Sequence, residues 1–195
     1  MNIASANELS MIAEKLGIDP FELIELANKH PRVNILNPGI GAWGHCLPIE
    51  PWFIVEKVPE ETKLIKTARE VNEIKTQKVL GQIEVSINYD KSKTIGILGL
   101  TCKANTDSIR ESPAIKIAKM LVSKGYRVLA HEPYIEKESV SNIKNVDIME
   151  LIKESDVIVL AVPHRQFIEN LNSILKMTNS KILLDFVGIL KKHQR

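Results

Sequence analysis

A chain of 195 residues, 44% apolar and 26% charged, has room for one large or two small globular domains with ordinary cores and leaves little room for disorder. Its 26 Lys and Arg against 24 Asp and Glu leave a formal net charge of +2, too slight to support a nucleic-acid partner. No apolar run approaches the roughly 20 residues of a membrane span and no basic-then-apolar leader opens the chain, so a cytoplasmic protein without membrane contact is expected.

Ile3, Ala6, Leu9, Ile12, Ala13 and Leu16 recur at helical spacing almost from the first residue, with Gly17 as the stop. Asp19 as N-cap, Pro20 at the first helical position and Glu22 as capping-box partner predict a second helix to about Lys29. From His30 to Pro51 the chain turns to loop chemistry, rich in Pro and Gly yet carrying Ile35, Leu36, Ile40, Trp43, Leu47 and Ile49. A loop of this length with so much apolar content reads as an ordered site loop. A long helical pattern follows from about Glu61 to Ile87, with Leu64, Ile65, Ala68, Val71, Ile74, Ile83 and Ile87 along one side. At about 1.5 Å per residue it spans on the order of 40 Å, the reach of a domain bridge or a subunit interface.

After the polar stretch 88–93 the pattern alternates between strand and helix. Strands are predicted at Thr94–Leu100, Tyr126–Ala130, Val157–Val162 and Lys181–Phe186, and helices at Pro113–Lys124 behind Ser112, at Asp147–Glu154 and at Gln166–Leu175. The fold class expected is α/β: a helical segment over 1–88, then a small doubly wound parallel sheet with helices on both faces over 93–195.

Two cysteines, Cys46 and Cys102, are too few for a disulfide framework or a structural zinc site, and His45 has no second ligand pair at metal spacing, so no metal is expected. Cys102 ends the first strand and reads as core. Cys46 follows Gly44 and His45, with Glu50 four positions on. A thiol beside an imidazole and a carboxylate suits a nucleophile; a small buried cysteine in a turn is the plainer alternative. Trp43 and Trp52 read as packing around the loop. Gly96 to Cys102 stands where a dinucleotide fingerprint would stand but lacks the GxGxxG glycines, and no cofactor-binding residues are expected. The polar loop behind it, with Lys103, Asn105, Asp107, Arg110 and Glu111, lies beyond the carboxyl end of a strand. There Lys103 and Arg110 suit phosphate oxygens, unless Asp107, Arg110 and Glu111 merely pair among themselves.

Taken jointly and in order, 6–9 (ANEL), 30–34 (HPRVN), 38–46 (PGIGAWGHC), 51–55 (PWFIV), 67–72 (TAREVN), 99–103 (GLTCK), 105–107 (NTD) and 109–113 (IRESP) resemble the UDP-glucose/GDP-mannose dehydrogenase family over nearly the whole chain. That resemblance implies a helical central dimerisation domain followed by a UDP-sugar-binding domain, a homodimer, and a place in polysaccharide biosynthesis. It implies twofold oxidation of a UDP-sugar at C6 with NAD, through a thiohemiacetal and a thioester on the cysteine matched by Cys46. Glu50 then stands where an aspartate usually helps activate the hydrolytic water. Gly44, His45, Lys103 and Arg110 contact substrate, and Arg32 reaches a neighbouring subunit's ligand.

The chain also departs from the family pattern. A full-length member begins with an NAD-binding Rossmann domain carrying a GxGxxG turn; no such domain is expected among these 195 residues, and residues 1–3 are expected to match the family just after its catalytic lysine and asparagine. Glu50 is one methylene longer than aspartate, Trp43 replaces a glycine, and Val187 replaces a basic residue. NAD is therefore expected only with a separate N-terminal half, supplied by a separately encoded NAD-binding subunit if the chain is one part of a split enzyme or lost if it is a truncated product, and the chain alone is expected to be inactive. The alternative is a non-enzymatic module for nucleotide-sugar binding and dimerisation.

Overall fold

The computed structural model describes residues 1–44, 46–178 and 180–190. Helix α1 (Asn2–Lys15) packs against α2 (Pro20–Asn28) and the first half of the long α4 (Lys63–Ser86), and α3 (Glu50–Lys57) also packs on α4. Beyond α4 come β1 (Thr94–Leu98), α5 (Pro113–Ser123), β2 (Arg127–His131), β3 (Ser139–Val140), β4 (Ile143–Asn145), α6 (Ile148–Glu154), β5 (Val157–Leu160), α7 (Arg165–Glu169), α8 (Leu171–Met177) and β6 (Ile182–Asp185). The strands form one sheet in the order β3-β4-β2-β1-β5-β6, in which only the β3–β4 pairing is antiparallel.

Strand alternation divides the core into two layers. Ile95, Ile97, Val128, Ala130, Val157 and Val159 meet α5 and the second half of α4, through Val79, Leu80 and Ile83. Leu98, Leu129, Ile158 and Leu160 meet Leu151, Phe167, Leu171 and Ile174 of α6, α7 and α8. Each such Val, Leu, Ile or Phe side chain contributes about 1.5–3 kcal/mol of burial. Buried Glu84 of α4 accepts from Lys124 Nζ at 2.6 Å and from Tyr126 Oη at 3.2 Å, fastening the long helix to the sheet.

The cap signals correspond to real caps. Asp19 accepts from the N–H of Phe21 at 2.8 Å, Ser112 from Ile115 at 3.4 Å and Asp147 from Met149 at 2.8 Å. Other expectations need correction. Glu50 and Pro51 open helix α3 where the sequence predicted only loop, because proline is at home in a helix's first turn. The single helix expected at 166–175 is two, broken at Asn170. The two extra strands, β3 and β4, join through Ser141 and Asn142, both at positive φ as a tight hairpin turn requires.

On α1 and α4 the periodicity marks the buried face only in part. Ala6, Ala13, Val71, Ile83 and Ile87 are buried as expected, but Ile12, Leu16, Leu64 and Ile74 are exposed, and the α1–α4 seam is built largely from small and polar residues. Asn7 Nδ2 donates to Asn72 Oδ1 at 2.9 Å, Asn7 Oδ1 accepts from Gly39 N at 3.0 Å, and Thr76 Oγ1 donates to Ile40 O at 2.9 Å. This seam, rather than an apolar stripe, holds the start of the site loop against the helices.

Lys75 is buried in the same seam and donates to Ser10 Oγ at 2.9 Å. Burial pulls its ammonium down from 10.5 to about 8, opposed by Glu14 and assisted by Lys78. The unfolded chain therefore binds more protons than the folded one between those values, and stability rises with pH across that window. Against Lys75→Met, the wild type is expected to gain on the order of 3 kcal/mol between pH 8 and pH 10.5 in urea titrations, the full gain lying above the unfolded value.

Candidate functional site

Two loops face each other beyond the carboxyl ends of β1 and β5: the first runs from Asn37 to Ile49, the second from Gly99 to Ser112. Between them lies a cavity of about 210 Å³, lined by Gly39, Ile40 and Trp43 on one side and Thr101, Cys102 and Lys103 on the other, with Val162 and Val187 at its floor. The exposed Lys103 is a cation at its mouth. Cys102 lines this cavity and is partly exposed, a correction to its reading as core: β1 ends at Leu98, so residue 102 already belongs to the loop, with its N–H donated to Ser108 O at 2.7 Å.

Farther along the first loop, Cys46 is exposed and lines a larger cavity, about 510 Å³, with Glu50, Arg69 and Asn72 as its polar walls and Leu36, Leu47, Ile54 and Ile65 as apolar ones. Glu50 begins α3 one turn beyond Cys46, and its N–H donates to Cys46 O at 2.9 Å, which sets the carboxylate beside the thiol. The hydrogen bond the thiol gives to Glu50 holds its pKa above the ordinary value; slight desolvation and the carboxylate's charge add to this, while Arg110 opposes it. At neutral pH the sulfur is thus a protonated thiol with a base already on its proton.

Replacing Glu50 by Gln removes the negative charge. Carbamidomethylation of Cys46 at pH 7.5 is expected to speed up by roughly threefold or more, and the two proteins to converge at alkaline pH where both sulfurs are thiolates. Peptide mass spectrometry separates Cys46 from Cys102. An unchanged rate at pH 7.5 would remove Glu50 from the account.

A third cavity of about 420 Å³ opens between the first loop, α4 and α5, lined by Trp52, Glu73, Glu111, Lys116 and Lys119. Arg69 borders both this cavity and the Cys46 cavity. Its guanidinium is buried, lies 3.7 Å from Glu73 and leaves Nε and Nη1 without a hydrogen-bond partner among the described residues. Sequence reading quoted Arg69 within a motif without giving it a role.

The structure thus brings Cys46, Glu50 and Arg110 into one electrostatic neighbourhood and puts Lys103 at a second cavity, to whose lining the same first loop contributes. Gly44 lies on that loop in left-handed backbone; His45 lies outside the described residues. Exposed Arg32 lines none of these three cavities; its N–H donates to His30 Nδ1 at 3.3 Å. Among the described residues, no ion pair joins Asp107, Arg110 and Glu111, so their self-pairing is not seen.

Glu132 and His164 escaped the sequence reading altogether. Glu132 stands just past the end of β2, where dinucleotide-binding sheets place the acid that reads a ribose. Here it is buried and already engaged: it accepts from the N–H groups of Leu100 at 2.7 Å, Thr101 at 3.0 Å and Tyr134 at 3.1 Å, and its carboxylate lies 3.2 Å from His164 Nε2. That acid is thus taken up by the protein's own donors, and the turn after β1 carries no GxGxxG glycines. Among the described residues no cluster could hold a metal ion, and no helix is long and apolar enough to cross a membrane.

Two family models cover the chain: the central domain of the UDP-glucose/GDP-mannose dehydrogenase family over residues 1–74 and its UDP binding domain over 96–192. The chain is 46% identical over 175 residues to UDP-N-acetyl-D-mannosamine dehydrogenase of Campylobacter jejuni, covering 87% of this chain and 43% of that protein. It is 44% identical over 170 residues to NDP-N-acetyl-D-galactosaminuronic acid dehydrogenase of Ralstonia nicotianae, covering 86% and 40%. Among solved structures, the UDP-D-ManNAc dehydrogenase of Pyrococcus horikoshii superposes with a TM-score of 0.82 at 35% identity, covering 96% of this chain and 45% of that one. The chain spans less than half the length of the curated relatives it matches. With the family's central and UDP binding domains matched in order along the chain and the same fold in a solved relative, the chain belongs to the UDP-glucose/GDP-mannose dehydrogenase family.

Proposed function

We propose that this chain holds the UDP-sugar and supplies the nucleophile for the oxidation of UDP-N-acetyl-D-mannosamine to its uronate, as a helical central domain (1–88) and a UDP-binding domain (93–195) that act as a homodimer. The observation that carries this reading is the shared loop, which contributes both to the cavity of Cys46 with its base Glu50 and to that of Lys103 at the sheet's carboxyl end. A nucleotide held by Lys103 in the sheet domain extends its sugar along that loop toward the thiol.

Each residue then has a task. Lys103 and Arg110 offer cationic donors to diphosphate oxygens. Glu50 takes the thiol proton as sulfur adds to a C6 aldehyde, and later draws a proton from the water that cleaves the thioester. Hydride removal requires NAD, for which the turn after β1 offers no GxGxxG glycines, so its cradle must be contributed by residues outside these 195 or by a separate subunit. Without that cradle the chain is inactive as an oxidoreductase.

Calorimetry of the chain with UDP and with UDP-N-acetylmannosamine tests the reading. Both are expected to bind with Kd below about 1 mM, the sugar nucleotide alone shielding Cys46 from alkylation. Absence of binding by either ligand overturns it. Binding without protection of the thiol favours the non-catalytic binding module.

A further inference from the structure

The nucleophile's partner loop, residues 100–112, has no helix or strand of its own, yet Lys103 must be presented from it. What holds it is a buried polar cluster that the proposed chemistry does not use. His164 is fully buried at the start of α7, and both its ring nitrogens are engaged. Nδ1 lies 3.0 Å from the backbone N of Asn105; a peptide N–H only donates, so Nδ1 carries the lone pair. The ring proton is therefore on Nε2, 3.2 Å from Glu132 Oε2 and 3.1 Å from Thr101 Oγ1. The Thr101 hydroxyl gives its own proton to Lys103 O at 3.0 Å, so toward His164 it can only accept.

Thr101 and Asn105 thus pin both ends of the arc that carries Lys103, and they pin it to the two nitrogens of one imidazole. Asn105 sits in left-handed backbone at φ 59°, a conformation asparagine adopts more readily than most non-glycine residues. Its side-chain oxygen is engaged too, accepting from Arg165 N at 2.8 Å and Tyr134 Oη at 3.1 Å, and the Tyr134 ring stacks on His164 with centroids 4.9 Å apart.

We infer that His164 is a positioning residue for nucleotide binding: as the Nε2-protonated neutral imidazole, it fixes the Lys103 arc by accepting the Asn105 N–H at Nδ1. The inference rests on the reading that Lys103 meets the nucleotide. The acceptor and donor halves of this role separate by substitution. In His164→Asn the amide oxygen reaches the Nδ1 position and still accepts from Asn105, while the contact with Glu132 is lost. In His164→Gln the terminal amide reaches the Nε2 position and still donates to Glu132, while the Asn105 N–H is orphaned.

Hydrogen exchange across residues 102–107 is expected to accelerate about tenfold or more in His164→Gln and to stay within about threefold of wild type in His164→Asn. UDP affinity should follow the same split, with thermal midpoints of the two variants alike. Equal effects of the two variants on exchange, or no effect of either, overturn the inference. If exchange splits as expected and wild type does not bind UDP, the loop anchor stands and the functional reading falls. Long-range proton–nitrogen NMR of the wild type reads the tautomer without any substitution, and protonation at Nδ1 at pH 7 also overturns it.

Discussion

Glu132→Ala is expected to lower stability by about 3–5 kcal/mol. The residue is 2% exposed, and truncation strands the N–H groups of Leu100, Thr101 and Tyr134 and leaves the ring N–H of His164 with Thr101 Oγ1 as its one acceptor among the described residues. Orphaned buried donors cost about 1–3 kcal/mol each, and water entering the space of the lost side chain recovers part of that. In a chain of this length the thermal midpoint should fall by on the order of 10 °C. A fall of less than about 2 °C would mean that the cluster is decorative.

Acid should probe the same group. Burial acts to raise the Glu132 pKa, but hydrogen bonds from His164 and from the Leu100 and Tyr134 backbones outweigh it and leave the carboxyl below its ordinary 4.5. A depressed carboxyl contributes stability that is complete above its unfolded value and is lost as pH falls through the folded one. The advantage of wild type over Glu132→Gln should therefore hold at neutral pH and shrink only below pH 4.5.

Gly99→Ala should cost a similar amount, about 3–5 kcal/mol, through two mechanisms acting together. The backbone there is left-handed at φ +91°, and a Cβ would stand 2.5 Å from Val162 Cβ and 3.1 Å from Val162 N. The left-handed conformation alone costs a side-chain-bearing residue about 1–2 kcal/mol, and the overlap with β5's continuation adds the rest. Gly44→Ala separates the two causes. Its φ is +98°, but no atom of the described residues lies within 4 Å of the added carbon, so only the conformational part, about 1–2 kcal/mol, applies. Urea midpoints of the two variants measure the difference. Equal losses would mean that close packing of the β1 turn on Val162 contributes nothing.

How much of this was legible beforehand depends on the range of the signal. The caps at Asp19, Ser112 and Asp147 were readable because a cap is a local contract between a side chain and N–H groups two or three residues on. The central strands were readable because each is buried on both faces and so reads as an unbroken apolar run. Strands β3 and β4, two and three residues long, carry no period to detect. The partial failure on α1 and α4 is of another kind. Periodicity assumes that the buried face is apolar, whereas Asn7, Ser10, Asn72, Lys75 and Thr76 are buried because they satisfy one another and the loop backbone across the seam.

The sequence by itself determined the elements, the alternation that makes a doubly wound sheet, the family, and the identity of the thiol and carboxylate four residues apart. Only the tertiary structure decided that one loop contributes to both the Lys103 and the Cys46 cavities, that Arg69 borders the thiol's cavity with two nitrogens unpaired among the described residues, and that Glu132 and His164 close on the loop that carries Lys103. The physical reason is separation along the chain. His164 lies 63 residues from Thr101 and 59 from Asn105, and a hydrogen bond over that span leaves no trace in local spacing, because it forms only when the packed sheet brings its strand ends together.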